Sequence, residues 1–328
     1  MTTYKEITIN VPSDKDTDYY NRTFIIHYPT TINKPLKTFF YFPGTGSNSR
    51  SGLQIFNDLV TEGNTIGVYI QGSIGFDGVT TFNTGYDGLK TNSHDVEFVE
   101  LIYDYLKNNY SDDIDFNRIV AIGFSVGSAF IAKLSITETV SDYFTGFIFE
   151  SSVNQQDELS LILKQNPKKV IIVYGKNDNL VPYVGGESEN ELLKGYNYAS
   201  LNDVFSNWVS VNNCKITENN NTTDYTTQEA SNCLNNTFVY SILFNNTGHN
   251  LQSEEVSSWN NTIKIEDNDS LAINLLNIIF KPTILESAES EQEVLTENKI
   301  KIFKFDMAFF VILIMILIII LVFIKKWI

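Results

Sequence analysis

Two short runs near the start of the chain, "EITINV" and "TFIIHY", alternate polar with apolar positions. A strand points successive side chains to opposite faces, so alternation marks a strand with one covered face. These two predict an antiparallel edge. Later runs, "KTFFYF", "IGVYI", "RIVAIGF", "TGFIFE", "KVIIVYG" and "TFVYSILF", are more continuously apolar. That is the pattern of strands covered on both faces, as in a parallel sheet. "DVEFVELIYDYLKNNY" (95–110) has its apolar residues at helical spacing, with Asp95 placed to cap the start. "SVGSAFIAKLSI" is a second helical stretch, and "SLAINLLNIIF" a third, with Ser270 as its cap. Strands alternating with helices predict an α/β fold with a mostly parallel central sheet flanked by helices. Residues 184–236 are irregular and Asn-rich, and read as an insertion or lid over the sheet edge.

One apolar stretch belongs to no sheet. "MAFFVILIMILIIILVFI" (307–324) runs without interruption and is followed by Lys325 and Lys326. About 18 such residues cross a bilayer core of roughly 30 Å. A core helix would be amphipathic instead. The preceding "ESAESEQEVLTENK" is polar and acidic, as a stalk would be. The chain therefore reads as a globular head over 1–282, a stalk over 283–305 and one transmembrane helix over 306–326.

With 328 residues and 43% hydrophobic composition, the head can bury one large core. The net charge of −16 argues against nucleic acid, which needs basic patches to neutralise phosphates. Cys214 and Cys233 flank a polar stretch with no His or Cys cluster nearby, so no metal or cofactor is expected. A disulfide between them is one reading and two independent thiols the other, because the compartment decides.

The chemistry starts at "RIVAIGFSVGSAF" (118–130), where an apolar run stops at a Gly-x-Ser-x-Gly. The segment lies between a predicted strand and a predicted helix, the context that a nucleophile elbow requires. Side chains flanking so sharp a turn would collide, and Gly123 and Gly127 relieve that. Ser125 is then raised above the sheet, and the backbone N–H of Val126 points to the same space as an oxyanion donor. A serine needs a base. Of the three histidines, His27 lies inside a strand and His94 at a helix start, whereas His249 occupies the loop "FNNTGHNLQ" after the last strand. An orienting carboxylate is supplied by "KVIIVYGKNDNLVPY", where Asp178 follows the strand end at Gly175. Asn177 beside it cannot carry the charge that stabilises an imidazolium. The glycine-rich "FFYFPGTGSNS" brings a second oxyanion donor, the N–H of Thr45.

These stretches, in this order, resemble α/β-hydrolases of the polyhydroxybutyrate depolymerase and feruloyl esterase type. "FPGTGSNS", "DVEFVELIYDYL", "FNRIVAIGFSVGSAF", "VYGKNDNLVPY" and "WVSVNNC" with the later "TGHN" carry the likeness across roughly residues 35–255. The resemblance implies ester hydrolysis by a triad that falls on Ser125, Asp178 and His249. It also implies that Cys214 and Cys233 bracket a loop near the site. Pro43-Gly44, Val126-Gly127-Ser128 and Asn250-Leu251-Gln252 depart from the family's usual His-Gly, Ala-Gly-Gly and Trp-Pro-Gly, so its substrate specificities do not carry over. The expected function is a membrane-anchored serine ester hydrolase acting on a small-molecule or polymeric ester. The alternatives are a non-catalytic binding protein or a serine peptidase or acyltransferase on the same fold.

The start, "MTTYKEITINVPSDKD", lacks the apolar core of a secretory leader, so the anchor is expected to insert after synthesis and leave the head on the cytosolic face. A lumenal or extracellular head is the alternative, and the sequons at Asn21, Asn220, Asn221, Asn235, Asn245, Asn260 and Asn268 would suit it. Protease added to intact membranes should digest the head in the first orientation. Protection together with glycosylation would establish the second.

Overall fold

In the computed structural model the described residues are 2–12, 19–32, 34–75, 78–85, 91, 93–190, 193, 195–251, 256 and 271–281. The chain divides into a unit Met1–Lys281 and a second, Pro282–Ile328, which holds the expected stalk and apolar run and lies outside the described residues. Ser270 also lies outside them. Among the described residues no helix is long and apolar enough to cross a membrane.

Ten strands form the main sheet: β1 (Thr2–Pro12), β2 (Tyr19–Pro29), β3 (Leu36–Phe42), β4 (Thr65–Ile70), β5 (Ile114–Phe124), β6 (Gly146–Glu150), β7 (Lys169–Gly175), β8 (Ile216–Asn221), β9 (Tyr225–Ser231) and β10 (Val239–Phe244). Their order is β1-β2-β4-β3-β5-β6-β7-β10-β9-β8. The centre, from β4 to β10, is parallel, and the pairs at either edge are antiparallel. Each predicted strand is present, including the antiparallel edge.

Helices α1 (Asp95–Tyr110), α2 (Val126–Ile136) and α3 (Leu201–Val211) cover one face, and α4 (Leu271–Phe280) with the short turns Ser51–Ile55 and Asn57–Thr61 covers the other. The central strands are buried on both sides, which is why they carry no polar alternation. On the first face Phe147 packs near fully buried Trp208 of α3. On the second, Ile148 and Ile171 meet Leu275, Leu276 and Ile279 of α4.

Two expectations change. Residues 184–236 are more regular than expected: among the described residues a short ladder joins Gly186–Glu187 to Asn197–Tyr198, α3 follows, and β8 and β9 extend the sheet beyond β10. The strands hid because "ITENNN" is an edge strand exposed along its whole length, with no covered face to write an apolar pattern. Asp95 does not cap α1 either. His94 holds the cap position, and Asp95 turns inward to pair with Arg22 at 2.7 Å while accepting from Ser93 Oγ and the Asn83 N–H, both at 2.6 Å. A buried guanidinium needs that carboxylate more than an exposed helix end does. The same Arg22 lies 4.5 Å from the centre of the Phe98 ring.

Cys214 and Cys233 are joined in a disulfide across the base of the β8–β9 hairpin. Beside it, buried Asn212 clamps Lys168 in both directions, accepting from its N–H at 3.0 Å and donating to its carbonyl at 2.7 Å. Replacing both cysteines with serine should lower stability by about 3 kcal/mol, the loop-closure term for a crosslink of this span, as read by urea unfolding without reductant.

Glu150, the last residue of β6, is 6% exposed and faces the α4 side of the sheet. Burial pushes its carboxyl from the ordinary 4.5 up to about 8. Between those values the folded form binds the proton and the unfolded chain does not, so stability is complete at acid pH and declines as pH rises toward 8. Glu150→Gln should abolish that decline. At pH 9 the variant should exceed the parent by on the order of 3–5 kcal/mol, and at pH 4 the two should melt together.

Candidate active site

The parallel strands end together on one side of the sheet. Phe42 of β3 pairs with Gly123 of β5, Phe124 with Glu150 of β6, and Gly175 of β7 with Phe244 of β10. The loops that leave these ends carry the expected chemistry.

At the end of β5 the chain turns into α2 within one residue. Ser125 adopts φ 55°, ψ −121°, a left-handed φ that a side chain rarely tolerates. The turn has no room on either flank. A Cβ on Gly123 would lie 2.6 Å from the Gly127 backbone, and one on Gly127 would lie 2.0 Å from the Phe42 carbonyl oxygen. The glycines expected to relieve a collision do so against each other and against β3. The Ser125 N–H donates to the Glu150 carbonyl at 2.9 Å, and the Ser125 carbonyl accepts the first helical bond of α2 from Ala129.

Ser125 Oγ stands 2.8 Å from His249 Nε2, and His249 Nδ1 stands 2.7 Å from Asp178 Oδ2. The other oxygen, Oδ1, accepts from the N–H groups of Leu180 and Val181, each at 2.9 Å. These bonds assign the protons. A carboxylate with two backbone donors on one oxygen only accepts, so Nδ1 carries the imidazole hydrogen and donates it to Oδ2. Nε2 is then the acceptor, and the Ser125 hydroxyl donates to it. Asp178 is buried, and the Phe124 ring packs 5.4 Å from the imidazole. The structure thus brings together three side chains spread over 124 positions of sequence.

Val126 is the first residue of α2, where an N–H has no partner within the helix. Thr45 lies in the turn after β3. There the N–H groups of Gly46 and Ser47 go to the carbonyls of Thr80 and Gly44. A Cβ on Gly44 would come 3.4 Å from the Ser125 Cβ, so this turn lies against the serine. His27 and His94 stay apart from the site. His27 is buried, bonded through Nδ1 to the Tyr69 hydroxyl at 3.0 Å, and burial lowers its pKa to about 4. His94 Nδ1 faces Glu97 at 3.2 Å.

The disulfide sits by the starts of β7 and β10, where Val170 pairs with Val239, and not at the triad end. What reaches the triad end is the tip of the bracketed hairpin: Asn245 Nδ2 donates to the carbonyls of Thr222 and Thr223, four residues before His249. Sequence reasoning missed Ser151, whose Oγ donates to the His249 carbonyl at 2.9 Å. It also missed the second role of Gly175, where a Cβ would lie 2.3 Å from the Thr247 carbonyl oxygen. The "ESS" that begins at the last residue of β6 matches no motif, so nothing in the sequence singles Ser151 out.

No family model matches this chain, and no curated protein matches it. Solved structures do. An acetyl xylan esterase from Aspergillus awamori is 12% identical and superposes with a TM-score of 0.50 over 78% of this chain and 98% of that one. The Bacillus cereus carboxylesterase is 17% identical, with a TM-score of 0.42 over 73% and 93% of the two chains. The fluorophosphonate-binding serine hydrolase F of Staphylococcus aureus is 14% identical, with a TM-score of 0.41 over 55% and 81%. The sheet order, the single-residue turn at Ser125 and the likeness to the Aspergillus structure together give this chain the α/β-hydrolase fold.

Proposed function

We propose that the protein is a serine hydrolase that cleaves carboxylic esters through an acyl-enzyme. One observation carries the reading: the unbroken hydrogen-bond chain Ser125–His249–Asp178 at 2.8 and 2.7 Å. As Ser125 Oγ attacks the ester carbonyl carbon, His249 Nε2 takes its proton. The imidazolium that forms is stabilised by Asp178, which stays ionised. The carbonyl oxygen, now an anion, is received by the N–H groups of Val126 and Thr45. His249 returns the proton to the departing alcohol oxygen, the C–O bond breaks, and the acyl group remains on Ser125. Water then attacks the acyl carbon as His249 takes its proton, the bond from that carbon to Ser125 Oγ breaks, and His249 returns the proton to Oγ as the acid leaves.

The ester class rests on the resemblance to polyhydroxybutyrate depolymerases and feruloyl esterases, a family likeness that we extend to this chain as part of the proposal. The apolar run 307–324 completes it, as a single helix that holds the head at a membrane surface.

Ser125→Ala should abolish hydrolysis of p-nitrophenyl acetate and butyrate and also labelling by a fluorophosphonate, with an unchanged circular dichroism spectrum. Replacing His249 should cost roughly as much as replacing Ser125, about 10⁶-fold in kcat, and replacing Asp178 about 10⁴-fold. The double variants should lose no more than the worse single one, because the three groups act as a unit. A Ser125→Ala protein that keeps most of the activity sinks the proposal. A parent that takes the label but cleaves only amides in a matched panel would be a peptidase.

A further inference from the structure

Ser151 follows the end of β6 as Ser125 follows the end of β5. The two strands are in register at Phe124 and Glu150, so each serine is the next residue past a paired position. Both have φ 55°. The Ser125 N–H donates to Glu150, and the Ser151 N–H donates one strand further on, to the Val173 carbonyl at 2.9 Å. Their hydroxyls converge on one residue. Ser125 Oγ meets the His249 ring at 2.8 Å, and Ser151 Oγ donates to the His249 carbonyl at 2.9 Å.

His249 lies in a loop, outside any strand or helix, so other elements must fix it. Its ring is set by Asp178. Its main chain is set from below: the Asn177 N–H donates to Thr247 at 2.9 Å, and bare Gly175 lets the carbonyls of Thr247 and Gly248 rest on the end of β7. Ser151 supplies the contact at the histidine itself. The left-handed backbone there would suit glycine better. The strain of a serine and the gain from one neutral hydrogen bond are similar in size, so the hydroxyl adds little net stability. What it adds is placement.

We propose that Ser151 is a positioning residue, which holds the main chain of His249 so that Nε2 stays within reach of Ser125. The role rests on the serine-hydrolase reading above. Small displacements of a general base cost much in rate, because proton transfer needs hydrogen-bond distance.

Ser151→Gly removes the hydroxyl and the strain together, and tests this. The variant should melt at or above the parent temperature, keep its KM for p-nitrophenyl acetate, and lose about 10–100-fold in kcat. In proton NMR the low-field Nδ1 signal of His249, sharp in the parent, should broaden. Ser151→Thr and Ser151→Val carry equal backbone strain, so higher kcat in the threonine variant isolates the hydroxyl. A Ser151→Gly protein with parental kcat and an unchanged low-field signal overturns the inference while leaving the hydrolase reading intact. A parent that neither hydrolyses esters nor takes a fluorophosphonate fails the hydrolase reading instead. The positioning role of Ser151 then falls with it, whatever the NMR signal shows.

Discussion

Three backbones meet at the end of β5 with no space for a side chain between them. Gly123 touches Gly127, Gly127 touches the end of β3, and the residue between the glycines is driven into a left-handed φ. The site depends on that contact. It points Ser125 away from the sheet, starts α2 directly beneath it, and draws the turn after β3 against it through Gly44. The strain of about 1–2 kcal/mol at Ser125 is held in place by the bond from its N–H to Glu150 and by a buried helix behind it. Any side chain at position 127 would push α2 off β3 and unmake the turn.

From that point the site is assembled by adjacency across the sheet. β5, β6, β7 and β10 are consecutive neighbours, and each loop contributes one side chain to the cluster: Ser125, Ser151, Asp178 and His249. Parallel pairing aligns the strand ends, so loops 124 residues apart in sequence open into the same space. The charge is arranged with the same economy. Asp178 is buried yet satisfied, with two N–H donors on one oxygen and the imidazole on the other. At Glu150, the last residue of β6, burial pushes the carboxyl up to about 8 and holds its proton on.

Much of this was legible from the chain. Gly-x-Ser-x-Gly between a strand and a helix encodes a local geometry, and local geometry is written in neighbouring residues. His249 was found because few histidines compete with it, and Asp178 because it follows a strand end. The missed parts have no local signature. β8 is polar because no face of it is covered, so the rule that finds strands by burial could not find it. Asp95 sits where a cap would sit, but its partner, Arg22, is 73 residues away in sequence, and only folding brings them together. Ser151 has no motif, because its partner is a carbonyl that any residue could supply.

The sequence by itself determined the alternation of strands and helices, the elbow, the choice of Ser125, His249 and Asp178 as the candidate set, and the apolar run at 307–324. Each depends on the spacing or scarcity of residue types, which survives without coordinates. Only the tertiary structure decided the register that aligns the strand ends, the hydrogen bonds that assign the His249 proton to Nδ1, and the placement of the disulfide at the end of the sheet away from the triad. It alone revealed the second serine behind the histidine. Those features depend on distances between residues far apart in the chain, and such distances are set by packing of the whole sheet.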